Sequence, residues 1–134
     1  MPGRWFSKKP VSMPFRPASS TWRPSTPRVD VDEVGELIAS VPRIAIHCWA
    51  LWNSYDRPMD QHWIEVLPKW CDRLFVCSFN VDPSEHHRWL EEWKVHNVPA
   101  LVIFRDGKHV ETRCHLMKPA ELDDWLIGGF GDLG

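Results

Sequence analysis

The fold is decided by the stretch Ile44-Ala45-Ile46-His47-Cys48-Trp49-Ala50-Leu51-Trp52-Asn53-Ser54-Tyr55-Asp56. Its first part is a short apolar run, which is typical of a buried strand. A Trp-Ala-Leu-Trp corner follows, and beyond it the pattern becomes helical, with Asn53 at the position of an N-cap. Strand ends that lead into helices are where α/β proteins usually place their chemistry. We therefore expect the functional site of this chain at the corner.

Length and composition indicate one globular domain with an additional segment. The chain has 134 residues, 43% of them hydrophobic, and a formal net charge of −2. That apolar fraction is enough for a core, and the small net charge gives no general case for binding nucleic acid or a membrane. No apolar run approaches the ~20 residues that span a bilayer. The first residues lack the apolar region of a secretory signal, so we expect a cytoplasmic protein.

The cysteines and histidines show no metal-binding or disulfide pattern. Cys48, Cys71, Cys77 and Cys114 form neither a Cys-x-x-Cys pair nor a zinc-ribbon spacing. Without an export signal we expect all four thiols to be reduced. The histidines lack the paired spacing of metal ligands beside an acid. We predict that the protein holds no metal and no cofactor.

Residues 1–28 differ from the rest of the chain. They contain six prolines and six basic residues, and no acid precedes Asp30. Because repeated proline blocks helix formation, we expect an extended or disordered tail over 1–28 and a folded domain over 29–134. Since the whole chain carries −2, the domain carries about −8 against the tail's +6. Three roles remain open for the tail: a solvated segment, an arm that docks through its aromatic residues, or a transit peptide.

Hydrophobic spacing from residue 30 onward predicts alternating helices and strands. Helices are predicted to begin at Asp30 or Asp32, at Asn53 with a kink at Pro58, at Asp82 and at Pro119. The last of them is expected to stop at the glycine pair 128–129. Strands are predicted over 44–49, 73–82, 100–104 and 109–114, the last two joined by an Asp-Gly hairpin turn. This order makes a mixed α/β sandwich.

Three blocks of the sequence, in the right order, resemble the thioredoxin family. Trp49, Ala50 and Trp52 match the family's corner Trp-Ala-x-Trp-Cys-Gly-Pro-Cys, and Asn80-Val81-Asp82 is similar to its Asn-Ile-Asp. Residues 97–107 are similar to its Ile-Pro-Thr-x-x-x-Phe-x-x-Gly block. The resemblance covers about residues 30–130. It implies an α/β thioredoxin-like three-layer α/β/α sandwich with a mixed central sheet, although no clear first strand is evident before the first helix.

The resemblance also implies where the family's site residues fall. Asn53 and Asp56 occupy the places of the two reactive cysteines, so we predict no catalytic residue and no dithiol exchange. The family's buried acid corresponds to His47, where a core role is favoured over a catalytic one. Its groove glycine corresponds to His115. The pair Val98-Pro99 matches the family's cis-proline, beside which an extended peptide pairs with the backbone.

Two interpretations of the corner remain open. It either only begins a helix, or it presents a polar recognition surface of Asn53, Ser54, Tyr55 and Asp56 beside Trp52. In the second case a peptide groove would include Val98, Pro99 and His115.

The predicted function is a thioredoxin-like module without the redox-active dithiol, which binds an unidentified protein or peptide and neither nucleic acid nor a membrane. One alternative is a thiol-disulfide oxidoreductase of weak or altered chemistry that serves cell redox homeostasis through Cys48, Cys71 or Cys114. The other is a structural or assembly subunit that makes contact through its aromatic tail.

Overall fold

The computed structural model describes residues 22–131, apart from the side chain of Cys71. The part of the predicted tail before residue 22 lies outside this range. The helices and strands are, in chain order, α1 (Val31–Ser40), β1 (Arg43–Trp49), α2 (Asp56–Trp70), β2 (Phe75–Asn80), α3 (His87–Glu92), β3 (Ala100–Arg105), β4 (Lys108–Arg113) and α4 (Pro119–Phe130). Short 3-10 helices cover Cys71–Arg73 and Ser84–His86. The sequence predicted each of these α-helices and strands, although several boundaries differ.

A four-stranded mixed sheet in the order β2-β1-β3-β4 forms the central layer. Strands β1 and β2 are parallel, whereas β3 is antiparallel to both β1 and β4. A single parallel bridge between Arg28 and Ser78 adds to the β2 edge. This bridge lies in the segment before α1, where the sequence shows no clear first strand. Pro27 has no N–H to donate, so only its carbonyl contributes, accepting a hydrogen bond from the Ser78 N–H at 2.7 Å.

Helices cover both faces of the sheet because successive side chains of β1 point to opposite sides. Ile44, Ile46 and Cys48 belong to a core cluster with α1 and α3, while Ala45 belongs to a second cluster with α2 and α4. Both clusters are built from side chains that are almost entirely buried. The predicted three-layer α/β/α sandwich is therefore confirmed.

The start of α2 differs from the prediction in a way that matters for the corner. The helix begins at Asp56 and not at Asn53. Pro58 consequently lies in the first turn, where a backbone N–H has no intrahelical acceptor and its loss costs little. The prediction of a kink assumed that Pro58 removes an interior helix hydrogen bond, and this assumption is wrong. Pro68 is the proline inside the helix, close to the end at Trp70.

The helix predicted to begin at Asp82 is also shorter than expected. A 3-10 turn precedes α3, which begins at His87 and ends at Glu92. Pro83 is the N-cap of the 3-10 turn. The side chain of Asp82 accepts a hydrogen bond from the Trp52 indole at 2.9 Å, a tertiary contact that the local sequence does not indicate.

The final helix runs through both glycines that were expected to stop it. It ends at Phe130, and Gly131 follows with a positive φ of 81°. A glycine inside a helix costs about 1 kcal/mol relative to alanine. Phe130 is only 1% exposed, and burying such a ring contributes about 1.5–3 kcal/mol. Burial of Phe130 is therefore sufficient to offset the cost of either glycine.

Gly129→Ala should lower the free energy of unfolding by about 1–3 kcal/mol through overpacking. A Cβ at this position would lie 2.4 Å from Cδ1 of Ile103, which is itself fully buried. The matched control is Gly128→Ala, whose Cβ would meet nothing within 4 Å and which should be neutral or stabilising by up to about 1 kcal/mol. Urea unfolding measures both variants, and equal midpoints would contradict the close approach of α4 to the sheet.

Candidate functional site

A buried His-Asp pair lies beneath the corner. His47 is on β1 and Asp56 is the first residue of α2, and both side chains are 0% exposed. Nε2 of His47 lies 2.8 Å from Oδ1 of Asp56. With Asp56 ionised, Nε2 carries a hydrogen atom and donates a hydrogen bond to the carboxylate. The pair joins the end of the central strand directly to the first turn of the helix.

The second oxygen of Asp56 is also fully engaged. Oδ2 accepts hydrogen bonds from the Ala50 N–H at 3.1 Å and from Nδ2 of Asn53 at 3.0 Å. Asn53 in turn accepts the Tyr55 N–H through Oδ1 at 3.3 Å. The carboxylate also lies at the positive end of the helix dipole. Three donors and the helix terminus thus compensate a charge that burial would otherwise make unfavourable.

These contacts define what the corner can do chemically. A carboxylate and an amide cannot exchange with a disulfide, which requires thiolates. The Nδ1 atom of His47 is buried and has no hydrogen-bond partner among residues 22–131. Because neither His47 nor Asp56 is exposed, the pair cannot pass a proton directly to a bound substrate. These contacts join the end of β1 to the start of α2. We call the His47–Asp56 pair, together with its partners Ala50 and Asn53, the lock.

The residues around the lock support the corner and present its outer surface. Trp52 donates its indole N–H to Asp82, whose own N–H donates to Oδ1 of Asn80 at 2.9 Å. The block Asn80-Val81-Asp82 thereby positions the side chain of Trp52. Ser54 is exposed, and Tyr55 is 59% exposed.

The proline loop meets the corner within one core cluster. Val98 is 6% exposed, and Trp52 and Cys114 pack against the cluster that contains it. The Val98–Pro99 peptide bond is cis. The Val98 N–H donates to Oδ1 of Asn97 at 2.9 Å. His115 lies at the surface, with its Nε2 2.8 Å from Oε2 of Glu121.

The segment before α1 packs against the same end of the sheet. Trp22 makes an edge contact with Trp49, with ring centroids 5.6 Å apart. The backbone N–H and hydroxyl of Ser25 both donate to Oδ1 of Asp60 at 3.0 Å. Asp60 is 3% exposed. The signal in the sequence was the aromatic content of the tail, which had suggested a docking arm as one of three roles.

The described thiols are free, and two of them are deeply buried. Cys48 and Cys77 are 0% exposed, and Cys114 is partly exposed. Burial raises the pKa of Cys77 from 9.0 to about 12, with a smaller contribution from Glu33. Burial likewise raises the pKa of Cys48 well above its ordinary value. Since the thiolate is the reactive form, neither is suited to nucleophilic chemistry at neutral pH.

At pH 8, a disulfide reagent such as dithiobis-nitrobenzoate should label Cys48 and Cys77 more than about a hundredfold more slowly than Cys114. Peptide mapping by mass spectrometry reads out each site, and labelling in urea is the control that makes all sites equal. The raised pKa of Cys77 also stabilises the fold below pH 9, and this contribution is lost as pH rises from 9 towards 12. Fast native labelling of Cys77 would contradict the burial.

Residues 22–131 contain no group of three or more His, Cys, Asp or Glu side chains placed to hold a metal ion. Within the same range, no helix is both long enough and apolar enough to cross a membrane.

Comparison with known proteins finds sequence similarity to a glutaredoxin and to thioredoxins. No protein-family model matches it. A monothiol glutaredoxin of Arabidopsis thaliana is 32% identical over 80 residues, which are 60% of this chain but only 16% of that protein. A thioredoxin of Rickettsia typhi is 23% identical over 97 residues, covering 72% of this chain and 90% of the thioredoxin. A thioredoxin of Acidithiobacillus ferridurans is 24% identical, covering 68% and 82%.

Solved thioredoxin structures share the fold. Oxidised mitochondrial thioredoxin 3 of Saccharomyces cerevisiae superposes with a TM-score of 0.68 at 19% identity, over 78% of this chain and 95% of that one. A variant thioredoxin of Halobacterium salinarum gives a TM-score of 0.66 at 21% identity, over 85% and 99%. At these identities the structures show the fold alone. The chain thus has a thioredoxin-like fold and sequence similarity to thioredoxins.

Proposed function

We propose that this chain is a thioredoxin-like module that binds a protein or peptide segment and does not catalyse dithiol exchange. One observation carries the proposal. Asp56, which corresponds to the family's second thiol, is fully buried and accepts three hydrogen bonds. The side chain that would have to release a mixed disulfide is instead a fixed part of the corner.

The surface beside this lock supports a binding role. Among residues 22–131, Tyr55 is the most exposed of the large hydrophobic side chains, and the nearby Trp52 is only partly buried. Tyrosine and tryptophan are favoured at protein contacts, because each offers an apolar body and one polar group. A peptide that adds to the Val98 backbone would have to displace the Asn97 side chain from the Val98 N–H. Asn97 is exposed, so it is free to rotate away.

A second candidate is single-thiol exchange. It is favoured by the match to a monothiol glutaredoxin and by the partial exposure of Cys114. One exposed thiolate could attack the disulfide of an oxidised small thiol, forming a mixed disulfide and releasing one molecule of the small thiol, but it could not resolve that mixed disulfide by itself. The cytoplasmic location expected from the sequence is part of either proposal.

The binding role is tested with peptides selected from a random phage-displayed library against the full chain. Trp52→Ala and Tyr55→Ala should each weaken the best peptide by about tenfold or more, as expected for aromatic anchors at an interface. Ile127→Ala is the control, since Ile127 is 42% exposed on α4 and should change the affinity less than about twofold. Calorimetry measures the affinities.

Tyr55→Ala is the more telling variant, because Tyr55 is largely exposed and its loss should leave the fold intact. Failure to select any peptide would count against the binding role. Equal affinity of the Trp52 and Tyr55 variants and the unmodified chain would place binding on another surface.

A further inference from the structure

A cavity of about 420 Å³ lies where the segment before α1 meets the edge of the sheet. Its lining residues are Arg23, Pro24, Thr26, Arg28, Trp49 and Ser78. Two of these side chains are cationic and none is acidic. The surrounding domain carries about −8 by composition, so this is a local concentration of positive charge on an acidic protein.

The first arginine is held in place over the cavity wall. The guanidinium carbon of Arg23 lies 6.0 Å from the centroid of the Trp49 ring, within the range of a cation–π contact. Its Nη1 donates to the Trp22 carbonyl at 2.7 Å. A guanidinium has five N–H donors, so most of them are left for a ligand. An ordered guanidinium loses less freedom when it binds than one that moves in solvent.

The second arginine has no counter-charge within the described chain. Arg28 is positioned by the backbone bridge to Ser78. Its side chain forms no hydrogen bond or ion pair with any residue between 22 and 131. The preceding part of the chain cannot neutralise it either, because residues 1–29 contain no acid. The simplest alternative is that Arg28 is a solvated surface charge and that Arg23 only anchors its own segment on Trp49.

Two buried donors in the lining argue against that alternative. Oγ1 of Thr26 and Nε1 of Trp49 are buried and have no acceptor among residues 22–131. Thr26 is 7% exposed and Trp49 is 1% exposed. Buried donors are normally satisfied in folded proteins. An anion that first contacts the two arginines would bring oxygen acceptors to the part of the protein where these donors lack them.

We propose that this cavity is a binding site for a small organic anion that carries a phosphate or carboxylate group. The planar guanidinium fork matches both groups in two-pronged hydrogen bonds. The volume is larger than a single phosphate ion needs, which favours an anion attached to a small molecule. The site uses neither the buried His47–Asp56 pair nor the proline loop, so it is independent of the proposed peptide binding.

The test is a titration of the full chain with inorganic phosphate, pyrophosphate and citrate in buffer of low ionic strength, because salt screens exposed charges. Calorimetry gives the affinity. Nuclear magnetic resonance follows the indole N–H of Trp49, assigned by its loss in Trp49→Phe. We expect saturable one-to-one binding of at least one anion, with a shift of that resonance. Binding of the phosphates alone assigns a phosphorylated ligand, and binding of citrate alone assigns a carboxylate.

The variants decide whether the cavity is responsible. The double variant Arg23→Gln and Arg28→Gln should weaken binding at least about tenfold. The control Arg105→Gln removes an exposed charge at the far end of β3 and should leave the affinity unchanged. Thr26→Val keeps the side-chain shape and removes the hydroxyl, so it should also weaken binding. The proposal is overturned if none of the three anions binds, or if Arg105→Gln lowers the affinity as much as the double variant.

Discussion

Asp56→Ala should lower the free energy of unfolding by about 3–5 kcal/mol, because each buried donor that is left without an acceptor costs at least about 1 kcal/mol. The substitution leaves three donors without their acceptor: the ring N–H of His47, the N–H of Ala50 and the side-chain amide of Asn53. All three surround a position that is 0% exposed. A loss of this size is a large part of the stability of an ordinary domain.

Urea unfolding followed by tryptophan fluorescence measures this change. Asp124→Ala is the matched control, because Asp124 is exposed on α4 and its loss should have little effect. Asp56→Asn should fall between the two, since the amide keeps one acceptor oxygen but turns a donor towards the other donors. A loss below about 1 kcal/mol for Asp56→Ala would mean that the pair contributes little to the fold.

The sequence was sufficient to predict the architecture of this protein. Periodicity located every helix and strand, and the three resemblance blocks supplied their arrangement around the sheet. The Asp-Gly turn at residues 106–107 joins β3 to β4 as expected, with positive φ at both positions. These features are encoded locally, by spacing that a short window of sequence contains.

The features that were missed depend on contacts between distant positions. The Ser25 hydrogen bonds reach Asp60, which is 35 residues away, so no local pattern reports them. The bridge at Arg28 is too short to leave a strand pattern. The hydrogen bond from the Trp52 indole to Asp82 likewise joins positions 30 residues apart.

The His47–Asp56 pair could have been predicted. The resemblance placed one residue at the family's buried acid and the other at the thiol whose proton that acid handles. Two such positions must be close in space, and an imidazole facing a carboxylate forms a hydrogen bond. The pair places an imidazole and a carboxylate where the family has an acid and a thiol, and the two positions remain in contact.

The proposed loss of dithiol chemistry is tested most directly by insulin reduction with dithiothreitol as the electron donor. Dithiothreitol alone sets the background rate, and an ordinary thioredoxin is the positive control. Because Asn53 and Asp56 stand where two thiols are required, the full chain should not raise the rate above background. A rate within about tenfold of the thioredoxin control, a barrier difference of about 1.4 kcal/mol, would contradict the assignment of a redox-inactive binding module.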